Sequence, residues 1–288
     1  MYDLFRCMRP KHWVKNFFVA APLVFAHKLN DSAAVYQAIL AFIGYCSIAS
    51  SIYVLNDYID LDRDKAHPVK KHRPLPAGKV TTRAVLALGA FLMMLGIIIS
   101  LSLNQNYRLV LGAYFAMNVA YSNWFKQAVI LDVMVIATGF VLRVLAGSAA
   151  IDVPASSWLL MCTFLLALFI GFGKRRHEIV VLEGQADNHR EVLTHYSPYF
   201  LDQMISVVTA STVMSYALYT ISPDTIRKFG TENLIFTTPF VLYGIFRYLY
   251  LVHQKEQGGD PASIVFSDKP LMLNIIFWGL IVIGLIYK

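Results

Sequence analysis

Charged residues are scarce in this chain. Asp, Glu, Lys and Arg make up 15% of its 288 residues, whereas they make up about 25% of an ordinary soluble domain. Hydrophobic residues account for 57% of the chain and occur in long runs that short polar segments separate. Runs of this length can cross the hydrocarbon core of a bilayer. We therefore predict an all-α, polytopic membrane protein.

Cysteine is also rare. Cys7, Cys46 and Cys162 are scattered, odd in number, and two of them lie in or near apolar runs, so no disulfide framework is indicated. A low-complexity stretch and a separate soluble region are absent too, which predicts one transmembrane domain over residues 1–288. The basic N-terminal segment resembles a signal peptide, but it lacks a convincing cleavage site and more spans follow, so we predict a retained first span.

Nine helical spans are expected from the apolar runs. They are predicted near residues 14–28, 33–55, 81–101, 107–123, 128–150, 156–173, 200–221, 232–252 and 270–287. A straight span needs about 20 residues. The first and the fourth are shorter than this, so their boundaries are the least defined.

Lysine and arginine are divided unequally between the two sides of the predicted membrane. The side with the N-terminus receives 19 of them and the other side 5, while Arg143 falls inside a span. The positive-inside rule then places the N-terminus and the long loops 56–80 and 174–199 in the cytoplasm. The net charge of +7 therefore reflects membrane topology, and we expect no binding to nucleic acid.

An acidic segment ends the second predicted span, with the sequence Asn56-Asp57-Tyr58-Ile59-Asp60-Leu61-Asp62-Arg63-Asp64. If the helix continues, Asn56, Asp60 and Asp64 share one face and Asp57 lies at its edge. Carboxylates beside a membrane are costly unless a cation accompanies them. Oxygen ligands that share a metal with substrate phosphates are typical of Mg²⁺. We therefore predict a magnesium site here, and the alternative is a solvated acidic helix end.

Two basic segments accompany the acidic one. Lys174, Arg175 and Arg176 follow the sixth span, where they can anchor the topology or bind phosphate groups through charged hydrogen bonds. Tyr121 and Lys126 close the fourth span. Lys126 can extend its amine to the membrane surface or face a phosphate, with the Tyr121 hydroxyl as a donor.

Two charged residues lie deep in the fifth predicted span. Asp132 and Arg143 are eleven residues apart, so they share a helix face but are separated by about 16 Å along the axis. This distance is too long for a direct ion pair, and charges at this depth usually line a polar cavity. We predict a common cavity, which Lys15 near the N-terminus can also reach.

These features resemble the UbiA superfamily of intramembrane prenyltransferases over essentially the whole chain. The motifs that carry the resemblance are NDxxDxxxD at 56–64, YSxxxK at 121–126 and the Asp132 that follows. The resemblance implies nine helices around a central cavity, with the loops 56–80 and 174–199 capping it on the cytoplasmic side.

One departure from the family pattern is informative. Where many members carry a second acidic motif, DxxxD, this chain has Lys174-Arg175-Arg176-His177-Glu178. Cations at this position suit a phosphate monoester better than a second metal on a prenyl diphosphate. The pattern is similar to the phosphoribosyltransferase branch of the family, as are the segments RPKHWVKN (9–16), GFVLRVLAG (139–147), GKRRHE (173–178) and LTHYS (193–197).

This branch implies Mg²⁺-dependent transfer of a 5-phosphoribosyl group from phosphoribosyl diphosphate to a polyprenyl, decaprenyl-like phosphate in a bacterial inner membrane. Assembly into a homo-oligomer stays open. The residues expected to take part in catalysis are Asp57, Asp60, Asp64, Lys126 and Arg143. The residues expected to bind substrate are Lys15, Asn56, Arg73, Tyr121, Lys126, Asp132, Arg143, Lys174, Arg175, Arg176 and Tyr196. The residues expected to hold Mg²⁺ are Asn56, Asp57, Asp60 and Asp64.

Two other functions remain open at this point. A conventional prenyltransferase would move a prenyl group from prenyl diphosphate to an aromatic or related acceptor. A transporter or channel could use Asp132 and Arg143 in an ion path, but the charges gather at one membrane face, whereas transporter sites usually lie at the midplane.

Overall fold

The computed structural model describes residues 2–66, 70–181, 191–255, 259 and 261–288, and no strand occurs in these ranges. The predicted all-α class is therefore confirmed. The chain forms two compact units, one of Met1–Trp124 with Leu142–Ala155 and the other of Phe125–Val141 with Ser156–Lys288. Segments 67–69 and 182–190 of the two long loops lie outside the described residues.

The first unit contains the N-terminal helices and the C-terminal part of α7. Its elements are α1 (Tyr2–Cys7), a 3-10 segment (Pro10–Val19), α2 (Ala21–Phe25), α3 (Ser32–Ile59), α4 (Leu61–Ala66), α5 (Thr82–Leu101), α6 (Gln105–Asn123) and part of α7 (Leu131–Ala150). The second unit contains the start of α7, then α8 (Ser157–Val181), α9 (Pro198–Ile221), α10 (Pro223–Phe229), α11 (Thr238–Gln254), α12 (Pro261–Ser267) and α13 (Lys269–Ile286).

Seven described helices are long and apolar enough to cross a membrane, which makes this a multi-pass membrane protein. They are α3, α5, α7, α8, α9, α13, and α11 together with the 3-10 turn that precedes it. The fourth predicted span exists as α6, although its apolar character is weaker. The predicted number of nine spans is therefore approximately correct for the described residues.

The first predicted span is not one continuous α-helix, and that prediction is corrected. The chain forms the 3-10 segment Pro10–Val19 and then the short helix α2. Pro10 and Pro22 lie in the first turns of these two elements. Proline lacks the N–H that a helix interior needs but fits a first turn, so the two prolines divide this region into two short pieces.

Polar side chains define where several long helices begin. Asp31, Thr81, Asn104, Ser197 and Asp268 each precede a helix and accept a hydrogen bond from a backbone N–H of its first turn. Such caps satisfy donors that otherwise have no partner inside the helix. The chain therefore specifies the ends of α3, α5, α6, α9 and α13 locally.

Each unit has its own apolar core. In the first unit, α3 packs along α5, and Gly96 of α5 permits the close approach, since a Cβ there would lie 2.6 Å from the side chain of Ile48. In the second unit, α8 packs along α9, and Phe169, Leu201 and Tyr248 belong to the buried core. Small residues at helix contacts are typical of membrane proteins.

Gly147 of α7 marks a tight contact that can be tested. A Cβ at this position would lie 1.9 Å from the carbonyl oxygen of Val19 in the 3-10 segment, so the backbone would have to move. We expect Gly147→Ala to destabilise the protein by about 1–3 kcal/mol, as overpacking usually does. Thermal unfolding in detergent measures this change.

Gly112→Ala on α6 is the matched control. Nothing lies within 4 Å of a Cβ built at Gly112, and alanine favours a helix over glycine by about 1 kcal/mol. We expect this variant to melt at the parent temperature or above it. A Gly147→Ala variant that melts together with the control would contradict the close contact.

Candidate active site

The acidic segment bends at Asp60. Helix α3 ends at Ile59, Asp60 has φ −89° and ψ 11°, and α4 begins at Leu61. The helix therefore does not continue unbroken through the motif, which is consistent with aspartate being a poor helix former and with repulsion between carboxylates four residues apart. The four-residue spacing nevertheless persists, since the N–H of Asp60 donates to Asn56 O at 2.9 Å and that of Asp64 to Asp60 O at 2.8 Å.

Five side chains form what we call the aspartate cluster: Arg9, Asp57, Asp64, Lys70 and Arg73. One nitrogen of Arg73, Nη1, donates to Asp57 Oδ1 at 3.0 Å and to Asp64 Oδ2 at 2.7 Å. Arg9 makes a short ion pair with Asp57, and Lys70 Nζ lies 3.5 Å from Asp64 Oδ1. Asp57 is 6% exposed and Asp64 2% exposed, so both carboxylates are buried among cations.

The loop after α4 places Arg73 against the two aspartates. A 3-10 turn at Lys70–His72 is followed by a hydrogen bond from the N–H of Arg73 to Lys70 O at 2.9 Å. Leu75, two residues on, is buried in an apolar cluster with Cys7, Val54 and other residues. The buried Leu75 side chain thus fixes the loop, and the loop fixes Arg73.

Arg9 has an unusual backbone. Its φ is 53° and its ψ 59°, in the left-handed region, directly before Pro10. Few residues other than glycine adopt this conformation, and such strain is most frequent at functional sites. The guanidinium of Arg9 also lies 4.9 Å from the centre of the Tyr53 ring. Sequence reasoning assigned Arg9 no role at the acidic segment and so missed its contact with Asp57.

The other residues of the acidic segment differ in their surroundings. Asn56 Oδ1 accepts a hydrogen bond from Ser122 at 3.3 Å, so the first and second motifs are in contact. Asp60 is half-buried, whereas Asp62 is exposed and pairs with Lys65. Among the described residues, no three His, Cys, Asp or Glu side chains are grouped as metal ligands.

The aspartate cluster nevertheless fits a hard cation. Asp57 and Asp64 direct one oxygen each to the same nitrogen of Arg73, which shows that both can bind one positively charged centre. The side-chain atoms of the acidic segment that are predicted to bind the metal are carboxylate oxygens and the amide oxygen of Asn56, which Mg²⁺ prefers. The magnesium assignment of Asn56, Asp57, Asp60 and Asp64 stays a prediction.

Arg143 is buried in the first unit at 6% exposure. Its Nε donates to Asn16 Oδ1 at 2.9 Å and its Nη2 to the Tyr114 hydroxyl at 3.1 Å. Its guanidinium also lies over the rings of Tyr45 and Tyr114, at 5.2 Å and 5.0 Å from their centres. Lys15, half-buried, precedes Asn16 in the 3-10 segment.

Asp132 anchors a buried network in the second unit, which we call the Asp132 network: Asp132, Arg175, Glu178 and Tyr196. Arg175 Nε donates to Asp132 Oδ2 at 2.7 Å, and Arg175 Nη1 donates to Glu178 Oε2 at 2.6 Å. Asp132 is fully buried and Arg175 is 2% exposed. As predicted, Asp132 does not pair with Arg143, because Arg175 is its cationic partner.

Tyr196 completes this network. Its hydroxyl donates to Asp132 Oδ1 at 2.7 Å and accepts a hydrogen bond from the N–H of Ile130 at 2.6 Å. Burial and the neighbouring carboxylate raise the pKa of Tyr196 well above its ordinary value, so the phenol keeps its proton. The positive φ of Ile130, 69°, shows that this contact holds an unusual backbone. Tyr196 therefore connects the second long loop to the start of α7.

The other two residues of the basic segment also bind carboxylates. Arg176 Nε donates to Asp202 Oδ1 at 2.5 Å, and His253 Nε2 lies 3.1 Å from the same oxygen. Lys174 Nζ lies 3.7 Å from Glu178 Oε1. We expected Lys174, Arg175 and Arg176 to present their charges to phosphate, but here each one has a carboxylate partner.

Sequence reasoning missed these acidic partners. Glu178 could have been found, because it follows Arg175 by three residues and Lys174 by four on one helix. Asp202 and His253 carry no such signal, since they lie on two other helices far along the chain. Tyr121 and Lys126 are half-buried, the latter in a 3-10 turn after α6.

The fold and these clusters of charged residues define the class of protein to which the chain belongs. The chain is an all-helical, multi-pass membrane protein with an acidic NDxxDxxxD segment and, among its described residues, two buried arginines, Arg143 and Arg175. The family follows from comparison with known sequences: the model of the UbiA prenyltransferase family matches residues 17–285. The chain belongs to this family, which confirms the resemblance found in its motifs.

Two named relatives are similar to the chain over most of its length. The decaprenyl-phosphate phosphoribosyltransferase of Mycolicibacterium smegmatis is 31% identical, over 96% of this chain and 89% of the relative. The enzyme of the same name from Corynebacterium glutamicum is 31% identical, over 99% of this chain and 86% of the relative. These matches agree with the branch expected from the motifs.

The fold agrees with a solved structure as well. A UbiA homologue from Archaeoglobus fulgidus bound to GPP and Mg²⁺ matches with a TM-score of 0.73, over 99% of this chain and 100% of that one. The two sequences are only 17% identical, so this likeness supports the architecture alone.

The hydroxyl of Tyr196 offers a direct test of the Asp132 network. Tyr196→Phe removes the donor to the fully buried Asp132 carboxylate and leaves the N–H of Ile130 without its acceptor. An unsatisfied buried group costs about 1–3 kcal/mol, so we expect a lower melting temperature in detergent. The amide of Ile130 should also exchange faster with deuterium.

Tyr199→Phe is the matched control in the same segment. Tyr199 is 75% exposed, so loss of its hydroxyl should leave the melting temperature unchanged. If both variants melt like the parent protein, the Tyr196 hydroxyl does not stabilise this region.

Proposed function

We propose that the protein transfers a 5-phosphoribosyl group from 5-phosphoribosyl-1-diphosphate to a polyprenyl phosphate and releases diphosphate. The observation that carries this proposal is the similarity, over nearly the whole chain, to enzymes named decaprenyl-phosphate phosphoribosyltransferase. The absence of a DxxxD motif after the sixth span supports it, because basic residues stand at that position.

The charge of the aspartate cluster suits such a donor. Two buried carboxylates, Asp57 and Asp64, contact three cationic side chains, Arg9, Lys70 and Arg73. Because Asp60 of the same motif balances the third cation, a bound Mg²⁺ would leave surplus positive charge at the site. Phosphoribosyl diphosphate brings a diphosphate and a separate 5-phosphate, which can balance this surplus.

In this proposal Asn56, Asp57, Asp60 and Asp64 hold Mg²⁺, as their oxygen donors allow. When bound, the metal would stabilise the negative charge that develops on the diphosphate leaving group. Arg73 and Arg9 both contact Asp57. Their guanidinium groups can donate hydrogen bonds to the phosphate oxygens of phosphoribosyl diphosphate. Charged hydrogen bonds of this kind are about twice as strong as neutral ones.

The acceptor needs no general base. A phosphate monoester is largely dianionic near neutral pH, because its second pKa is about 6. Its oxygen attacks C1 of the ribose while the bond from C1 to the diphosphate oxygen breaks, so no proton has to move. Positioning and electrostatic stabilisation then supply most of the acceleration.

Further cations are assigned to phosphate binding as part of the proposal. Lys126 and Arg143 are the first candidates, with Lys15 and Tyr121 as supporting donors. For Lys174, Arg175 and Arg176, contact with a phosphate requires exchange of their present carboxylate partners. Asp132 and Tyr196 act through Arg175, which they position.

The setting of the reaction is also part of the proposal. We place the protein in a bacterial inner membrane, with the N-terminus and the segments 56–80 and 174–199 in the cytoplasm, where soluble phosphoribosyl diphosphate is available. Contrary to the expectation from the sequence, the second segment is not wholly a loop, since α8 continues to Val181. One catalytic domain over residues 1–288 carries the activity. Association into homo-oligomers is compatible with this arrangement.

Purified protein in detergent tests the reaction. With Mg²⁺, phosphoribosyl diphosphate labelled in the ribose and a polyprenyl phosphate, label should move into the organic phase, and EDTA should stop the transfer. A parallel tube with prenyl diphosphate and an aromatic acceptor tests conventional prenyl transfer. Consumption of prenyl diphosphate, with no label in the lipid, would overturn the proposal.

Two neighbouring aspartates give a matched pair of variants. We expect Asp60→Asn to lower transfer by about a hundredfold or more, since even residues that only support a metal ligand matter about 10- to 100-fold. Asp62→Asn should keep nearly full activity, because Asp62 occupies a variable position of the motif and its side chain is 96% exposed. Equal activity in both variants would remove Asp60 from the metal site.

A further inference from the structure

Arg73 holds the two buried aspartates together. Its Nη1 atom lies 3.0 Å from Asp57 Oδ1 and 2.7 Å from Asp64 Oδ2. Two carboxylates that share one donor define a single point of strongly negative potential. A metal ion bound through these same two oxygens, at about 2.0–2.1 Å, would take the position of Arg73 Nη1, so the guanidinium and the metal cannot bind them together.

Charge leads to the same conclusion. The aspartate cluster contains three cationic side chains against two carboxylates, a net charge of +1. Asp60, the third carboxylate predicted to hold the metal, lowers this to zero, and adding Mg²⁺ without any other change would raise it to +2. Like charges at such distances repel strongly where the dielectric constant is low. A cation must therefore leave, or anions must enter with the metal.

Arg73 is the cation best suited to leave. Its side chain is 32% exposed, compared with 20% for Arg9 and 37% for Lys70, but of the two aspartates Lys70 pairs with Asp64 only. Arg9 contacts Asp57 alone and is also held over the ring of Tyr53. Departure of Arg73 removes a cation from both aspartates in a single step, although Arg9 stays on Asp57 Oδ1, whereas departure of Arg9 or Lys70 relieves only one carboxylate.

We propose that Arg73 and the metal ion bind Asp57 and Asp64 in alternation, and that the displaced guanidinium passes to a phosphate of the donor. Arg73 is then a positioning residue that couples metal entry to phosphate binding. The second part of this inference rests on the proposed function. The first part concerns only the metal and this chain, so the two can be tested separately.

Metal affinity tests the alternation without any substrate. Mn²⁺ serves as a paramagnetic probe in place of Mg²⁺, and its binding is followed by electron paramagnetic resonance. Arg73→Gln should bind Mn²⁺ about tenfold more tightly than the parent protein, since hydrogen bonds to charged groups no longer have to be broken. Equal or weaker binding by this variant would overturn the proposal.

Lys65→Gln is the control for overall charge. Lys65 extends from the same segment, but its amine pairs with the exposed Asp62 at 3.3 Å. This variant loses one positive charge near the site without breaking a contact to Asp57 or Asp64. Its Mn²⁺ affinity should stay close to that of the parent protein. If Lys65→Gln gains as much affinity as Arg73→Gln, the gain comes from long-range electrostatics and the proposed alternation is contradicted.

Chemical labelling follows Arg73 in the unaltered protein, so the test does not depend on a variant that folds. Phenylglyoxal reacts with accessible arginines, and mass spectrometry measures the labelled fraction at each position. Mg²⁺ should increase labelling of Arg73 severalfold but leave the exposed Arg63 of α4 unchanged. Unchanged or decreased labelling of Arg73 with Mg²⁺ alone would contradict the displacement.

Phosphoribosyl diphosphate then tests the transfer to phosphate. Added with Mg²⁺, it should protect Arg73 from phenylglyoxal again, and persistent labelling would overturn this second part. If no phosphoribosyl transfer occurs in the activity assay, the proposed function fails. The response of Arg73 to Mg²⁺ alone would still stand, which keeps the two failures distinguishable.

Discussion

Neutralisation of buried carboxylates is the constraint on which the polar interior of this protein depends. Three carboxylates are buried in the described part of the chain, Asp57, Asp64 and Asp132, and each forms an ion pair with a lysine or arginine. Burial of an unpaired charge costs several kcal/mol. The cationic partners therefore determine which aspartates can lie among the apolar helices at all.

The same pairing explains why the protein suits an anionic substrate. Ion pairs that merely stabilised the fold could be balanced one to one, yet the aspartate cluster has more cations than carboxylates. Buried pairs of this kind contribute little net stability compared with apolar packing, so their retention is better explained by chemistry. In the proposed reaction, a metal and several phosphate groups exchange with these internal partners while the total charge stays balanced.

The backbone around the clusters shows where this arrangement is costly. Arg9 and Ile130 both have positive φ values, 53° and 69°, although neither is glycine. Arg9 contacts Asp57, and the N–H of Ile130 binds Tyr196 of the Asp132 network. Strain of about 1–3 kcal/mol at such residues persists only when the surrounding contacts fix it, as the ion pairs and the buried Tyr196 hydroxyl do here.

The sequence by itself determined the helical class, the membrane location, most spans and the acidic motif, because apolar runs, caps and short-range spacing are local properties. It also indicated correctly that Asp132 and Arg143 do not pair. Only the tertiary structure decided the partners: Arg9 lies 48 residues from Asp57, and Arg175 lies 43 residues from Asp132. No local rule selects such contacts. They depend on how separate helices pack, because this packing determines which cation lies beside a buried carboxylate.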